Sequence, residues 1–225
     1  MANQLDLEEQ EQLDQLKHFW KQYGNAITWA LIAILGAFAC WNGYQYWQRS
    51  QAAQAAAMFD EVERVVKSGD PARMDRVFTD IRSRFGSTTY AQQAGLLVAK
   101  QYYSAGNAQA AKSVLTWVVD NASDPGYQAL AKLRLAAVLM DSKSFDEALR
   151  QLAGSFPANF EALVADRKGD ILILQGKKPE ALVEYRKAYK GFDESTEYRR
   201  LVEVKLNSLG VDPHGGDATA AEGKK

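Results

Sequence analysis

Between Lys21 and Arg49 the chain carries no charged residue for 27 positions, and no other stretch limits the possible folds so strongly. A helix that crosses the hydrocarbon core of a bilayer needs about 20 mostly apolar residues. Residues 25–47 supply them, and the most apolar part lies at 27–41. Phe19, Trp20 and Tyr23 stand before this segment, and Trp41, Tyr44, Tyr46 and Trp47 stand at its far end. Amphipathic rings favour the membrane–water boundary, so the two clusters read as interfacial belts. A buried core helix would show a polar face, which this segment lacks. Ala37-Phe38-Ala39 has the small-x-small form of a cleavage site, with Cys40 behind it. The leader is acidic, however (Asp6, Glu8, Glu9, Glu11, Asp14), where a signal peptide carries a basic region. Phe38 and Trp41 are also bulky where a lipoprotein site needs small residues. The segment reads as an uncleaved transmembrane anchor.

Lys17 and Lys21 lie close on its N-terminal side, and Arg49 stands alone on the other until Arg64. Nearby cations stay in the cytoplasm, which predicts a cytoplasmic tail at 1–24 and an exported C-terminal part. In a bacterium that compartment is the periplasm, and a part without cysteine suits an oxidising space. Along the anchor, Ala26, Ala30, Ala33, Gly36, Ala37 and Cys40 form a small-residue stripe at helical spacing. Such stripes let helix backbones approach closely in lipid, so they are candidate packing positions for a partner helix.

After Arg49 the pattern is helical throughout, with expected helices at 51–67, 72–85, 88–104, 108–121, 126–141, 145–153, 159–174, 179–190 and 195–208. The breaks carry Gly69-Asp70-Pro71, Gly86, Gly106-Asn107, Asp124-Pro125-Gly126 and Gly176. The turns at Gly69, Gly106, Lys143 and Gly176 lie 37, 37 and 33 residues apart. Helix–turn–helix units of about 34 residues mark tetratricopeptide arrays. Ala99 precedes Ala111 by 12 positions, as Ala136 precedes Ala148 and Gly169 precedes Ala181. These small pairs are expected where the two helices of a unit approach closest, with Leu115, Leu152 and Tyr185 following on the same face. The first unit fits poorly, with Val62 and Met74 at the small positions, and the helix at 195–208 suits a C-terminal cap. A generic helical bundle is the alternative, but it does not account for the repeated pairs. The expected fold is all-α: one N-terminal transmembrane helix, then a degenerate tetratricopeptide-repeat solenoid at 51–209. A tail lacking apolar period, expected to be disordered, follows at 210–225. Lys143 reads as a solvated position where replacement changes little.

Catalytic and cofactor chemistry finds no support. Of the only histidines, His18 lies just before the anchor and His214 in the tail, and Cys40 lies in the anchor. A serine nucleophile in the repeats would have no histidine base. One cysteine and two histidines make no zinc site, and no glycine-rich phosphate loop occurs. With 27 basic and 28 acidic residues the chain has a net charge of −1, unlike a nucleic-acid binder. The acidic pairs Glu61/Glu63 and Asp166/Asp170 read as solvated helix faces. An array offers a curved groove instead, and the register places Lys100, Tyr103, Leu133, Ala137, Met140, Asp166, Asp170 and Ile173 along it as candidate polypeptide-binding residues.

The N-terminal run Glu8-Glu9-Gln10-Glu11-Gln12-Leu13-Asp14, then Leu16-Lys17-His18-Phe19-Trp20-Lys21-Gln22-Tyr23-Gly24-Asn25, resembles the YfgM-like family of ancillary SecYEG translocon subunits. So do Trp41-Asn42-Gly43-Tyr44-Gln45-Tyr46-Trp47 after the anchor, Leu133-Arg134-Leu135-Ala136, and Ala165-Asp166-Arg167-Lys168-Gly169-Asp170. The resemblance covers most of 5–209. It implies a non-enzymatic, single-pass protein of the bacterial inner membrane with its repeats in the periplasm. It further implies association with SecYEG and the membrane-anchored chaperone PpiD, and a part in handing exported polypeptides to periplasmic chaperones. It carries over no catalytic residues. The alternative is a single-pass repeat scaffold for another envelope assembly complex.

Overall fold

The computed structural model describes residues 7–213, with side chains from residue 12 onward. Asp6, the side chains of Glu8, Glu9 and Glu11, and residues 214–225 of the expected tail, His214 included, lie outside the described residues. Among the described residues the structure is all-helical, without a strand. The elements are α1 (Leu7–Ser68), α2 (Pro71–Phe85), α3 (Thr89–Ser104), α4 (Ala108–Asn121), α5 (Pro125–Asp141), α6 (Phe145–Gln151), α7 (Ala158–Leu174), α8 (Lys178–Gly191) and α9 (Glu197–Ser208). Two units are distinguished, an N-terminal one through Gln51 and a repeat body from Ala52.

The N-terminal unit is the part of α1 up to Gln51. The expected break between the anchor and the helix at 51–67 does not occur. No glycine or proline falls between Tyr44 and Ser68, and Ala52, Ala53, Ala55, Ala56 and Ala57 are strong helix formers. Within the anchor, Phe38 is 66% and Trp41 63% exposed, so no protein core covers them. The apolar stretch is long enough to cross a membrane by length and composition. Its polar side chains turn back on their own helix. Thr28 Oγ1 donates to the Gly24 carbonyl at 2.7 Å, and Asn42 Nδ2 donates to the Phe38 carbonyl at 3.0 Å. That arrangement satisfies polar groups where no water is at hand.

In the repeat body the expected turns recur with one backbone geometry. Gly69, Gly106, Lys143 and Gly176 all adopt left-handed φ values, of 70°, 80°, 59° and 77°. At the last three, the next residue's N–H closes the helix end by reaching five residues back. Asn107 donates to the Tyr102 carbonyl at 2.8 Å, Ser144 to Leu139 at 2.8 Å and Lys177 to Leu172 at 2.9 Å. This is the Schellman closure, which favours glycine at the left-handed position. Gly210 ends α9 the same way, with Val211 donating to Leu206 at 3.1 Å. Lys143 is exposed as expected, but a side chain there strains the backbone, so replacement is not neutral.

The small pairs lie where the register puts them. Ala99, Ala111, Ala136, Ala148, Gly169 and Ala181 are all buried, with Leu115, Leu152 and Tyr185 buried beside them. A Cβ built on Gly169 would stand 2.5 Å from the Tyr185 ring, so the ring occupies the space a side chain would need. Gly95 is a second such approach, 2.5 Å from a Val118 methyl. Val62 and Met74, the large residues in the divergent first unit, are both buried in the main core. That core runs from the end of α1 to α7, and a second cluster joins α7, α8 and α9. Successive pairs stack with the second helix of one on the first of the next, α4 on α5 and α6 on α7, and the first helices α3, α5 and α7 also touch one another in turn.

Leucine at Gly169 or Ala148 should lower the stability of the repeat body by about 1–3 kcal/mol or more through overpacking. Lys143→Gly should raise it by about 1 kcal/mol by removing left-handed strain. Chemical unfolding of the full chain in detergent, followed by circular dichroism, measures both. Unchanged unfolding with leucine at both small positions would mean the repeat register is misplaced.

Candidate functional site

The stacked first helices leave an open surface between α3, α5 and α7, where two apolar hollows adjoin. The first, about 320 Å³, has Ala99, Lys100 and Tyr103 of α3 on one side, Leu115 of α4 at its back and Arg134 and Ala137 of α5 opposite. The second, about 250 Å³, lies between Leu130, Leu133, Arg134 and Ala137 of α5 and Leu163 and Arg167 of α7, with Tyr198 of α9 beside them. Arg134 and Ala137 belong to both hollows. Their helix presents Leu130, Leu133, Arg134 and Ala137 at the spacing of a single face, which carries the groove from one hollow into the next.

Four of the eight expected groove residues meet here: Lys100, Tyr103, Leu133 and Ala137. Met140 is half-buried against the main core, and Ile173 against the second cluster. Asp166 and Asp170 have internal partners. Asp166 is 1% exposed, and Lys205 of α9 reaches it and Asp170 at 2.7 Å each. Tyr198 donates to Asp166 and Tyr185 to Asp170, both at 2.8 Å. The expectation of a solvated acidic face at 166 and 170 is therefore corrected, because α9 brings a cation and a phenol over these carboxylates. Sequence reading passed over Arg134, Arg167 and Tyr198. For Arg134, its place three residues before Ala137 and one after Leu133 was the available signal.

Arg134 donates from Nη1 to the Leu96 carbonyl at 3.1 Å, and burial pulls its guanidinium below the usual arginine range. Tyr103 donates to the Asp141 carboxylate, and this bond, more than burial, raises the phenol above the usual tyrosine range. Burial first, and then the bonds to Asp170 and Asp166, raise Tyr185 and Tyr198 much further. In the anchor, Ala26, Ala30, Ala33, Gly36, Ala37 and Cys40 are all exposed, and a Cβ on Gly36 would meet nothing within 4 Å. Among the described residues no group of His, Cys, Asp or Glu is arranged to hold a metal.

Tyr185 and Tyr198 keep their protons in the fold above the pH of about 10 at which an unfolded tyrosine ionises. The stability they contribute is complete below that pH and is lost as pH rises through their folded values. Thermal unfolding measured from pH 9 upward should show this fall, and Tyr198→Phe should flatten it. An unchanged slope in Tyr198→Phe would show that this phenol does not carry the effect.

The family described as a tetratricopeptide repeat-like domain matches residues 17–211. A protein of Neisseria gonorrhoeae named ancillary SecYEG translocon subunit is 32% identical over 90% of this chain and 98% of its own length. Proteins of the same name from Haemophilus influenzae and Escherichia coli are 28% and 25% identical, over 90% of this chain and 98% and 97% of theirs. No solved structure matches the chain. The fold is that of a tetratricopeptide repeat-like protein. The chain belongs to the YfgM-like family, which includes these ancillary SecYEG translocon subunits and is not known for enzymatic activity.

Proposed function

We propose that this chain is a single-pass inner-membrane protein that attends the SecYEG translocon and holds exported polypeptides in its repeat groove. In this reading residues 1–24 lie in the cytoplasm, residues 25–47 cross the membrane, and residues 51–209 form the periplasmic repeat domain. Clients leaving the channel pass through the groove to periplasmic chaperones, PpiD among them. The observation that carries the reading is the match to the Neisseria gonorrhoeae relative across 98% of that protein's length, anchor and repeats together.

The physical logic is that of tethered, weak binding. An anchor beside the channel raises the local concentration of the groove, so single contacts need little affinity. Two open apolar hollows suit brief capture of varied side chains. The exposed small-residue stripe at Ala30, Ala33 and Ala37 is the proposed contact with a membrane partner.

A photo-crosslinker at Tyr103 or Leu133 should capture translocating chains or a chaperone partner in intact cells, and SecYEG should co-purify from detergent extracts. Absence of both, with the protein folded and well expressed, would sink this reading in favour of a scaffold for another envelope complex.

The topology follows from Lys17 and Lys21 set against Arg49. A reporter active only in the periplasm, fused after Asn207, should be active, whereas activity confined to a cytoplasmic reporter at that site would reverse the orientation.

A further inference from the structure

The two hollows are apolar inside, yet every charged side chain that lines them is a cation: Lys100, Arg134 and Arg167. Arg167 is held 3.9 Å from Asp170. Arg134 sits on the ridge the hollows share, and among the described residues its recorded partner is a neutral carbonyl, that of Leu96. Lys100 is exposed at the rim and forms no ion pair among the described residues. The nearby carboxylates already have partners, Asp141 in Tyr103 and Asp166 in Lys205 and Tyr198.

We propose that the groove selects polypeptide segments in which an acidic side chain lies between apolar ones, the carboxylate meeting Arg134 and Lys100 while its neighbours fill the two hollows. This rests on the polypeptide-binding reading above and adds a chemical preference to it. A half-buried guanidinium without a carboxylate bears a desolvation cost that a bound anion offsets, in line with the lowered range of Arg134. The fork of a guanidinium also bonds a carboxylate in two places at once. Arg134 lies between the hollows, and in an extended segment the side chains two residues before and after the acidic one share its face, so they can enter opposite hollows while the carboxylate meets Arg134. A basic residue at the same position would meet the like charges of Arg134 and Lys100.

The test uses the full chain in detergent micelles with a benzophenone at Leu133. The probes are three labelled peptides that share apolar flanks and differ only in a central Glu, Gln or Lys. The Glu peptide should crosslink at 133 and bind about tenfold more tightly than the Gln peptide, the scale of one charge-assisted hydrogen bond. The Lys peptide should bind weakest. Lys100→Gln, which removes no internal partner, should narrow the Glu preference, as should Arg134→Gln, while Lys178→Gln on α8 should leave it intact.

Crosslinking of all three peptides at 133 with equal affinity would overturn the acidic preference and leave the polypeptide-binding reading standing. A Glu preference that survives both groove variants would also overturn it, since the charge would then be read elsewhere. Failure of every peptide to crosslink would refute the polypeptide-binding reading itself, and this inference with it.

Discussion

The repeat body depends on how closely two helices of a unit can approach. At Gly169 the gap is closed by the face of Tyr185, and a single added Cβ would lie 2.5 Å from that ring. Ala99 against Ala111 and Ala136 against Ala148 hold the equivalent places in the preceding units, all buried. A small residue there fixes the separation of the two helices, and packed interiors leave no slack to restore it elsewhere. Once that separation is set in each unit, the first helices α3, α5 and α7 fall beside one another. The groove is the exposed side of that layer, so its hollows inherit their spacing from buried alanines and a glycine.

The turns supply the second half of the repeat. A Schellman closure reverses the chain in a few residues and satisfies carbonyls that a helix end leaves open. It recurs at Gly106, Lys143, Gly176 and Gly210, with one non-glycine residue at the strained position. The C-terminal helix is secured differently, by Lys205 and Tyr198 reaching buried Asp166. Breaking such a pair leaves an uncompensated carboxylate, a cost on the order of 3 kcal/mol. Tyr198 also lines the second hollow, so the side chain that fastens the cap is part of the groove wall.

The anchor obeys other rules. In lipid there is no water to satisfy a stray polar group, and Thr28 and Asn42 return their hydrogen bonds to the helix backbone. Its alanine stripe is exposed along α1, and small residues in lipid let helices meet through van der Waals contact.

By itself the sequence determined the class of each part. An uncharged run of 27 residues, turns spaced 37, 37 and 33 apart and small pairs 12 apart are local or periodic signals, legible without coordinates. They located the anchor, the left-handed turns and the closest helix contacts, and through the register they found Lys100, Tyr103, Leu133 and Ala137. The tertiary structure decided what those signals cannot contain. Asp166 and Asp170 look like a solvated acidic face until Lys205 of α9, 39 and 35 residues further along the chain, lies over them. Arg134 looks like an ordinary surface arginine until two neighbouring helix pairs make it the ridge between two hollows. Both are relations between residues distant in the chain. Periodicity reports which way a side chain faces on its own helix, and only packing reports what it meets there.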